Sequence, residues 1–271
     1  MGMSVNTNVG AMAALQSLTQ TNKGLSQVQS RINTGMNVAS TKDDSAAFTI
    51  AQTLRGDLGG LKAVSSSLSR AKSTTDVAVA GAEQISDLVN QMKAKAIEAS
   101  DEGLDDDSRT AIGKDFDALK EQIGTIIDSS EFNGTNLLKA SGGSVKALQS
   151  TDTAAATLTV DNQDFTAVKT AIGSITTAAS AKTMVGTLET QAKAINGKLS
   201  VLGSASRKID GQASFVSKLS DTIEAGIGNL VDADLAKESA RLQALQVKQQ
   251  LGVQALSIAN QAPQTITSLF R

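Results

Sequence analysis

The residues best suited to chemistry lie in NTGMNVASTKDDSAAF, residues 33–48, where Lys42 stands beside Asp43 and Asp44. A lysine next to two carboxylates could take part in acid–base catalysis, but a catalytic loop also needs a nucleophile or a tunable base nearby. The chain has no His, Cys, Trp or Tyr, so the side chains that most often fill these roles are absent. We therefore interpret the segment as a joint between helices, and we predict that the protein is not an enzyme.

The same segment contains residue types that end and begin helices. Gly35, Asn37 and Ser40 are poor in helix interiors but favourable in turns and caps. Asp43 and Asp44 precede a long stretch with periodic apolar residues, and a helix N-terminus favours negative charge by about 0.3 to 1 kcal/mol. We predict that these five residues form the joint between two helical segments.

Two other segments resemble ligand-binding loops only in composition. The acidic run SDEGLDDDSR, residues 100–109, lacks the alternating acids around a glycine that a calcium loop requires. The run GDLGG, residues 56–60, lacks the lysine of a phosphate-binding loop. With 2% aromatic residues and a net charge of -2, the chain also lacks the stacking residues and basic surface typical of nucleic-acid binding. The sequence thus predicts no metal, no cofactor and no nucleic-acid partner.

The sequence contains no pattern typical of a signal peptide or a membrane span. There is no cationic start followed by an apolar run of about 7 to 15 residues, and no apolar run of about 20 residues. We therefore expect no membrane insertion. We expect either a cytoplasmic protein or one that leaves by a route without a cleavable signal.

Heptad spacing of apolar residues predicts two long helices of the coiled-coil type. Over residues 50–96 only Asp57 and Thr75 are polar at seam positions, and a helix of this length would measure roughly 70 Å. The first seam consists of Leu54, Leu61, Leu68, Thr75, Ala82, Val89 and Ala96 with Ile50, Asp57, Val64, Ala71, Ala78, Ile85 and Met92. The second seam consists of Leu188, Ile195, Leu202, Ile209, Val216, Ile223 and Leu230. Each seam needs an apolar partner, and the simplest arrangement is that the two seams pack against each other.

Between the long helices, the sequence predicts a shorter helix and a small β element. The helix begins after an N-cap at Asp107 and carries an apolar face of Ile112, Phe116, Leu119, Ile123 and Ile126. Turn signals at Asn133-Gly134 and Gly142-Gly143, with the β-favouring run ATLTVDNQDF, predict a hairpin or loop at about residues 133–180. The expected fold class is mainly α, with long α-helical coiled-coil rods forming a bundle and a small β-hairpin/loop insertion in the middle.

The two ends of the chain have helical periodicity but almost no charge. The first charged side chain is Lys23, and none follows Lys248 until Arg271. The N-terminal seam consists of Ala11, Leu18, Leu25 and Ile32 with Ala14, Thr21, Val28 and Gly35. The C-terminal segment has an apolar stripe of Ala236, Ala240, Ala244, Val247, Leu251, Ala255, Ile258 and Ala262, and an uncharged polar stripe of Gln243, Gln246, Gln250, Gln254, Ser257, Gln261, Gln264 and Ser268. Because charge makes an isolated helix soluble, we predict burial in a larger assembly. The alternative, a frayed polar tail, needs no such periodicity.

Two short motifs lie near the N-terminus, SRINTG at residues 30–35 and KDDSAA at residues 42–47. They resemble the Arg-Leu-Ser-Ser-Gly segment and the Ala-Lys-Asp-Asp-Ala-Ala signature of bacterial flagellins, the subunits of the flagellar filament. Further matches in the same order are Asn6-Thr7-Asn8, FNGT with LL within residues 132–138, NQAPQ at 260–264 and LFR at 269–271. The resemblance covers residues 4–139 and 183–271. Too few residues lie between these regions for the outer domains that many members insert, so the chain resembles a short flagellin.

The resemblance implies a division of the chain and a role for each part. Residues 1–40 and 232–271 would be the terminal helices of an inner tube, and residues 41–231 the central helical rod domain. Contacts between subunits are expected at Ala11, Leu18, Leu25, Ile32, Val247, Leu251, Ala255 and Ile258. The candidates for lining a central channel are Gln246, Gln250, Gln254, Ser257 and Gln261. The chain would polymerise into the filament and so serve motility.

The resemblance also implies partners and a location. Flagellins are exported by the flagellum's own type III apparatus, which implies a secreted, extracellular protein. The expected partners are further copies of the chain, related flagellins, the export apparatus, a secretion chaperone on the C-terminal helix, and the filament cap and hook–filament junction proteins. Two alternatives remain at this stage: a hook–filament junction protein with similar termini, and an intracellular coiled-coil scaffold, which explains the heptads but not the charge-poor ends.

Overall fold

The computed structural model describes residues 7–152 and 157–269, and it is almost entirely helical. The elements in chain order are α1 (Val9–Thr34), α2 (Ser45–Ala99), α3 (Asp106–Ser129), β1 (Val145–Ala147), β2 (Leu158–Val160), α4 (Thr166–Ala171), α5 (Ala178–Val231) and α6 (Leu235–Leu269). The chain forms two compact units, one of Met1–Gly56 with Thr222–Arg271 and one of Asp57–Asp221. The predicted fold class, mainly α with a small β hairpin, is confirmed.

The two predicted coiled-coil seams form about half of the core of the unit Asp57–Asp221. Helices α2 and α5 contain 55 and 54 residues, and their seam residues are buried along most of that length. The buried members are Leu61, Val64, Leu68, Ala71, Thr75, Ala78, Ala82, Ile85, Val89, Met92 and Ala96 on α2, and Leu188, Ile195, Leu202, Ile209 and Val216 on α5. Thr75 is tolerated there because its hydroxyl donates to the Ala71 carbonyl at 2.9 Å, so no polar atom is left unpaired.

The seam prediction was wrong at its ends. Ile50 is 52% exposed, Leu230 is 36% exposed, and Asp57 is also exposed. Ile227 and Val231 are buried in place of Leu230. A strict heptad drifts around a straight α-helix, so near these ends the buried face has moved to neighbouring residues, and Ala51 of α2 clusters there with Ile227 and Val231 of α5.

Helix α3 begins two residues before its predicted position. Its N-cap is Asp105, whose Oδ2 accepts the backbone N–H of Ser108 at 3.3 Å, so the prediction of Asp107 was wrong. Hydrogen bonding by Ser108, first through its side chain and then through its backbone, lowers the pKa of Asp105. Three consecutive aspartates offer the same cap, and Asp105 is the one with extended backbone, at ψ 158°. The core side chains Ile112, Phe116 and Ile123 are buried as predicted, but Leu119 and Ile126 are only half-buried.

The middle of the chain contains the predicted hairpin. Strands β1 and β2 pair in antiparallel fashion with Val145 opposite Val160. At the Asn133-Gly134 turn both residues have positive φ, 50° and 78°, and the flanking Phe132 and Thr135 exchange backbone hydrogen bonds of 3.0 and 3.1 Å. The six-residue helix α4 was not predicted, because so short an element shows no readable period.

A closed loop between residues 136 and 142 leaves no space for a side chain at Gly142. Gly142 N–H donates to the Lys139 carbonyl at 3.0 Å, and Asn136 N–H donates to the Gly142 carbonyl at 3.2 Å. A Cβ on Gly142 would collide with the backbone oxygen of Asn136. We expect Gly142→Ala to lower the free energy of unfolding by about 1 to 3 kcal/mol, measured by urea denaturation.

Gly186 provides the matched control for this prediction. It is an exposed glycine in α5, and a Cβ there would meet no atom within 4 Å. Gly186→Ala should leave the stability unchanged or raise it by up to about 1 kcal/mol, because alanine favours the helix. Equal stability of the Gly142→Ala variant and the unmodified chain would contradict the proposed collision.

Candidate assembly site

The two terminal helices pair with each other in antiparallel fashion. Residue numbers on α6 fall as those on α1 rise. Three polar contacts mark the register: Asn8 Nδ2 to the Ala259 carbonyl at 2.7 Å, Gln249 Nε2 to Asn22 Oδ1 at 2.8 Å, and Arg31 Nη1 to Glu238 Oε1 at 3.2 Å. Helix α1 is thus held along its length by α6 of the same chain.

The face of α1 with the predicted N-terminal seam packs against α6 of the same chain. Leu25 is buried, and Ala11, Leu18 and Ile32 are half-buried. Leu18 packs so closely on Gly252 that a Cβ there would lie 3.3 Å from Leu18 Cδ1. The structure therefore assigns these four residues contacts within one chain, and contacts of the same residues between subunits remain a prediction.

The residues of α6 that face α1 were missed in the sequence. They alternate in steps of four and three, and they are less exposed than their neighbours. They are Glu238, Leu242, Leu245, Gln249, Gly252, Leu256 and Ala259. The steps of four and three are typical of one buried helix face and could have been recognised in the sequence. The face is not uniformly apolar, however, because it includes Glu238, Gln249 and Gly252. The apolar stripe along the neighbouring positions obscured it.

The predicted apolar stripe of α6 is instead exposed. Val247, Leu251 and Ile258 are 55%, 57% and 69% exposed, and Ala255 is exposed as well. Contiguous apolar surface of this kind marks interaction sites in soluble proteins. On α1 three further apolar side chains are exposed, namely Val9, Met12 and Leu15. The single chain thus leaves an apolar strip of α6 uncovered. We name Val247, Leu251, Ala255 and Ile258 the α6 strip.

The predicted channel-lining residues form a separate exposed sector of α6. Gln246, Gln250, Gln254, Ser257 and Gln261 are all exposed. Successive residues of an α-helix are turned by about 100° around its axis. On this basis α6 has three sets of side chains: this sector, the α6 strip and the seam with α1. The mean directions of the three sets are roughly 100° to 140° apart around the axis. One helix therefore has three different faces. The remaining stripe members Ala262, Gln264 and Ser268 lie outside the described side chains.

An ion pair lies in the seam between α1 and α6. The side chains of Arg31 and Glu238 are 20% and 9% exposed. Arg31 Nε and Glu238 Oε2 have no hydrogen-bond partner among the described residues, so this pair is held by a single contact. Removing one partner of such a pair is costly because the other charge stays buried.

We expect Glu238→Ala to weaken the α1–α6 pairing. The uncompensated Arg31 should make backbone amides in α1 exchange hydrogen about tenfold faster, since about 1.4 kcal/mol of local stability is lost. Hydrogen exchange followed by mass spectrometry would measure this. Glu224→Ala, at an exposed residue of the same unit, is the control and should leave exchange in α1 unchanged. Unchanged exchange in both variants would contradict a stabilising role for the pair.

The five predicted joint residues lie between α1 and α2, where the chain turns. Gly35 ends α1 with φ 71°, a left-handed conformation that glycine adopts without strain. Asn37 N–H donates to the Val231 carbonyl at 2.7 Å, and Ala233 N–H donates to the Gly35 carbonyl at 2.9 Å. The segment after α1 is therefore hydrogen-bonded to the end of α5 and to the segment that connects α5 with α6.

The acidic residues of the joint hold backbone N–H groups. Asp43 Oδ2 accepts from the Ser40 backbone and hydroxyl, each at 3.0 Å. Asp44 Oδ1 accepts from the N–H groups of Ala46 and Ala47 at 2.9 and 3.0 Å and thereby caps α2. A small apolar core of Val38, Ala51, Ile227 and Val231 supports the turn. The geometry is that of a structural joint.

The comparisons with known proteins agree with this architecture. The model for the bacterial flagellin N-terminal helical region matches residues 5–143, and that for the C-terminal helical region matches residues 185–270. Flagellin FljM of Caulobacter vibrioides is 48% identical over 99% of this chain and 98% of that protein. A flagellin of Brucella melitensis is 37% identical over 99% of both. The crystal structure of Bacillus cereus flagellin is similar in fold, with a TM-score of 0.51, 22% identity and coverage of 54% of this chain and 86% of that chain.

The paired terminal helices and the two long helices with buried heptad seams are the architecture of a structural, helical protein. The chain belongs to the bacterial flagellin family and is a structural subunit of the flagellar filament, which serves motility.

Within residues 7–152 and 157–269, no cluster of His, Cys, Asp and Glu could hold a metal ion. In the same part of the chain, no helix combines the length and the apolar character needed to cross a bilayer.

Proposed function

We propose that α1 and α6 form the inner tube of the filament, with residues 1–40 and 232–271 as its two helical parts and residues 41–231 as the rod domain around it. The observation that carries this proposal is the exposed α6 strip, since Leu251 and Ile258 are 57% and 69% exposed in the single chain. A neighbouring subunit packed on the strip would remove this apolar surface from water, which stabilises association by about 25 cal/mol per Å².

The glutamine-rich sector of α6 is proposed to line a central channel. Its side chains hydrogen-bond water but carry no charge, so they would bind a passing unfolded chain weakly. Gln254→Cys tests this, because the chain has no other cysteine. The thiol should react with a bulky maleimide in the monomer, where Gln254 is exposed, and should be protected in the assembled filament. Equal reaction rates in monomer and filament would contradict the channel assignment.

The chain is proposed to leave the cell through the flagellar type III export apparatus and to function outside it. The α6 strip would be covered by a secretion chaperone before export, since the same apolar residues would otherwise promote premature association. Filament cap and hook–filament junction proteins would contact the subunits at the two ends of the polymer. Related flagellins with similar terminal helices could enter the same filament.

The location of the subunit separates this function from that of a hook–filament junction protein. Antibody labelling in electron micrographs should mark the filament along its length. Labelling confined to the base would favour the junction protein. Purified chain added to filament seeds should extend them, and failure to extend seeds under conditions where a relative does so would contradict the filament function.

A further inference from the structure

A polar cleft lies where α2 passes the Asn133-Gly134 turn and the start of β1. Its volume is about 180 Å³. Its lining is mainly polar and includes Ser67, Arg70, Thr74, Asn133, Thr135 and Lys146. A volume of this size exceeds the share of one water molecule, about 30 Å³, several-fold. The cleft can therefore take a small polar group such as the end of a side chain.

The cleft contains two cations without an anionic partner. Arg70 and Lys146 are exposed, and neither forms an ion pair with any residue in the described parts of the chain. Arg70 Nη1 donates a hydrogen bond to the Ser66 hydroxyl at 3.1 Å. Ser67 is 8% exposed, and its Oγ accepts the Leu148 N–H at 3.2 Å, which leaves its own proton available as a donor. This set of donors suits a carboxylate.

The same chain also has a surface with three carboxylates that form no ion pair within the described residues. Glu102 in the loop between α2 and α3 is exposed, as are Asp106 and Asp107 in the first turn of α3. We name these three residues and the loop that precedes α3 the acidic α2–α3 loop. The guanidinium of Arg109 holds the loop from inside. Its Nη1 donates to the carbonyls of Ala99 and Asp101, the latter at 3.1 Å, and its Nη2 donates to the Leu104 carbonyl at 2.8 Å. The acidic loop thus has a fixed shape before it meets a partner.

The two surfaces cannot meet within one chain. Arg70 and Ala99 are both on α2, and 29 residues of helix separate them by about 44 Å. We propose that the acidic α2–α3 loop of one copy binds the Arg70–Lys146 cleft of another copy in the filament. Complementary patches at different places on one molecule give head-to-tail contacts, which produce open helical polymers rather than closed dimers. The proposal rests on filament assembly and names one contact within it.

Zero-length cross-linking of unmodified filaments tests the contact directly. A carbodiimide joins an amine to a carboxylate only when the two touch, with loss of water. We expect peptides that link Lys146 to Glu102, Asp106 or Asp107 in filaments and not in monomers. The intrachain pairs Lys93–Glu189 and Lys139–Asp128, at 2.8 and 2.9 Å, are internal controls in both. Filaments that show the control links but none from Lys146 to the loop would overturn the proposal and leave the filament function intact.

Charge reversal tests whether the contact contributes to assembly. Arg70→Glu with Lys146→Glu should raise the critical concentration for seeded growth about tenfold at low salt, and less at 0.5 M salt. Lys182→Glu with Lys208→Glu makes the same charge change at exposed residues elsewhere and should have little effect. Adding Asp106→Lys and Asp107→Lys to the reversed cleft should restore growth. Normal seeded growth of the Arg70→Glu/Lys146→Glu variant would contradict the contact. Slower growth after the two loop substitutions are added to that variant would contradict it as well.

Discussion

Filaments are expected to stop growing when Leu251 and Ile258 are both changed to Asp. The two side chains are 57% and 69% exposed in the single chain, so the monomer should fold with its stability changed by about 0.5 kcal/mol or less. In the proposed inner tube the same change places two unpaired carboxylates in a buried seam, at a cost of several kcal/mol per subunit. Seeded elongation followed by light scattering would show the loss, and circular dichroism would show that the monomer remains helical.

The neighbouring glutamine sector provides the control. Gln250 and Gln254 are also exposed on α6, but they lie outside the strip. Changing both to Ser should leave elongation nearly normal, because a wet channel wall accepts any small uncharged polar residue. Filaments of ordinary length from the double Asp variant would contradict the inner-tube assignment. A monomer that loses its helicity would show instead that the strip stabilises the single chain.

Arg109→Met is expected to lower the free energy of unfolding of the unit Asp57–Asp221 by about 2 to 4 kcal/mol. Arg109 is 6% exposed and bonds three carbonyls, so its removal leaves those groups without their charged donor. The Ala99 carbonyl belongs to a buried residue and is the least able to recover water. Methionine retains much of the side-chain volume, so the loss should come from the hydrogen bonds. Urea denaturation would measure it.

Two further substitutions separate this effect from a loss of charge. Arg207→Met removes an arginine from an exposed position of α5 and should change stability by about 0.5 kcal/mol or less. Arg109→Lys keeps the charge but lacks the planar fork, and should recover only part of the loss. Full recovery with lysine would show that charge, and not the three-carbonyl geometry, stabilises the loop.

The long helices could be predicted because their buried residues are apolar at almost every seam position. Spacing alone located α2 and α5. Among the seam positions the single buried polar residue is Thr75, which hydrogen-bonds within its own helix and needs no partner. The hairpin was also readable, since the β-favouring run ATLTVDNQDF contains β2, whereas Asn133-Gly134 forms a separate turn with positive φ between Phe132 and Thr135. Residue types and the spacing of apolar residues are therefore sufficient to predict an element whose buried face is apolar whatever packs against it.

The α6 face toward α1 could not be predicted in the same way, because the partner determines it. Gly252 is in the seam to admit Leu18, and Glu238 is there to meet Arg31. Neither residue looks like a seam position without knowledge of what lies opposite. The Arg70–Lys146 cleft was missed for a similar reason, since its two cations come from distant parts of the sequence and only the fold brings them together.

The pairing of the two chain ends also has a consequence for the order of folding. Asn8 and Ala259 are 251 residues apart in sequence, and Arg31 and Glu238 are 207 apart. A contact of such separation forms slowly unless the intervening chain has already become compact. Helices α2, α3 and α5 lie between the two ends in sequence, and their apolar faces can pack together before the ends meet. We therefore expect the terminal pair to close last, so that a newly delivered subunit first acquires its rod and only then its paired ends.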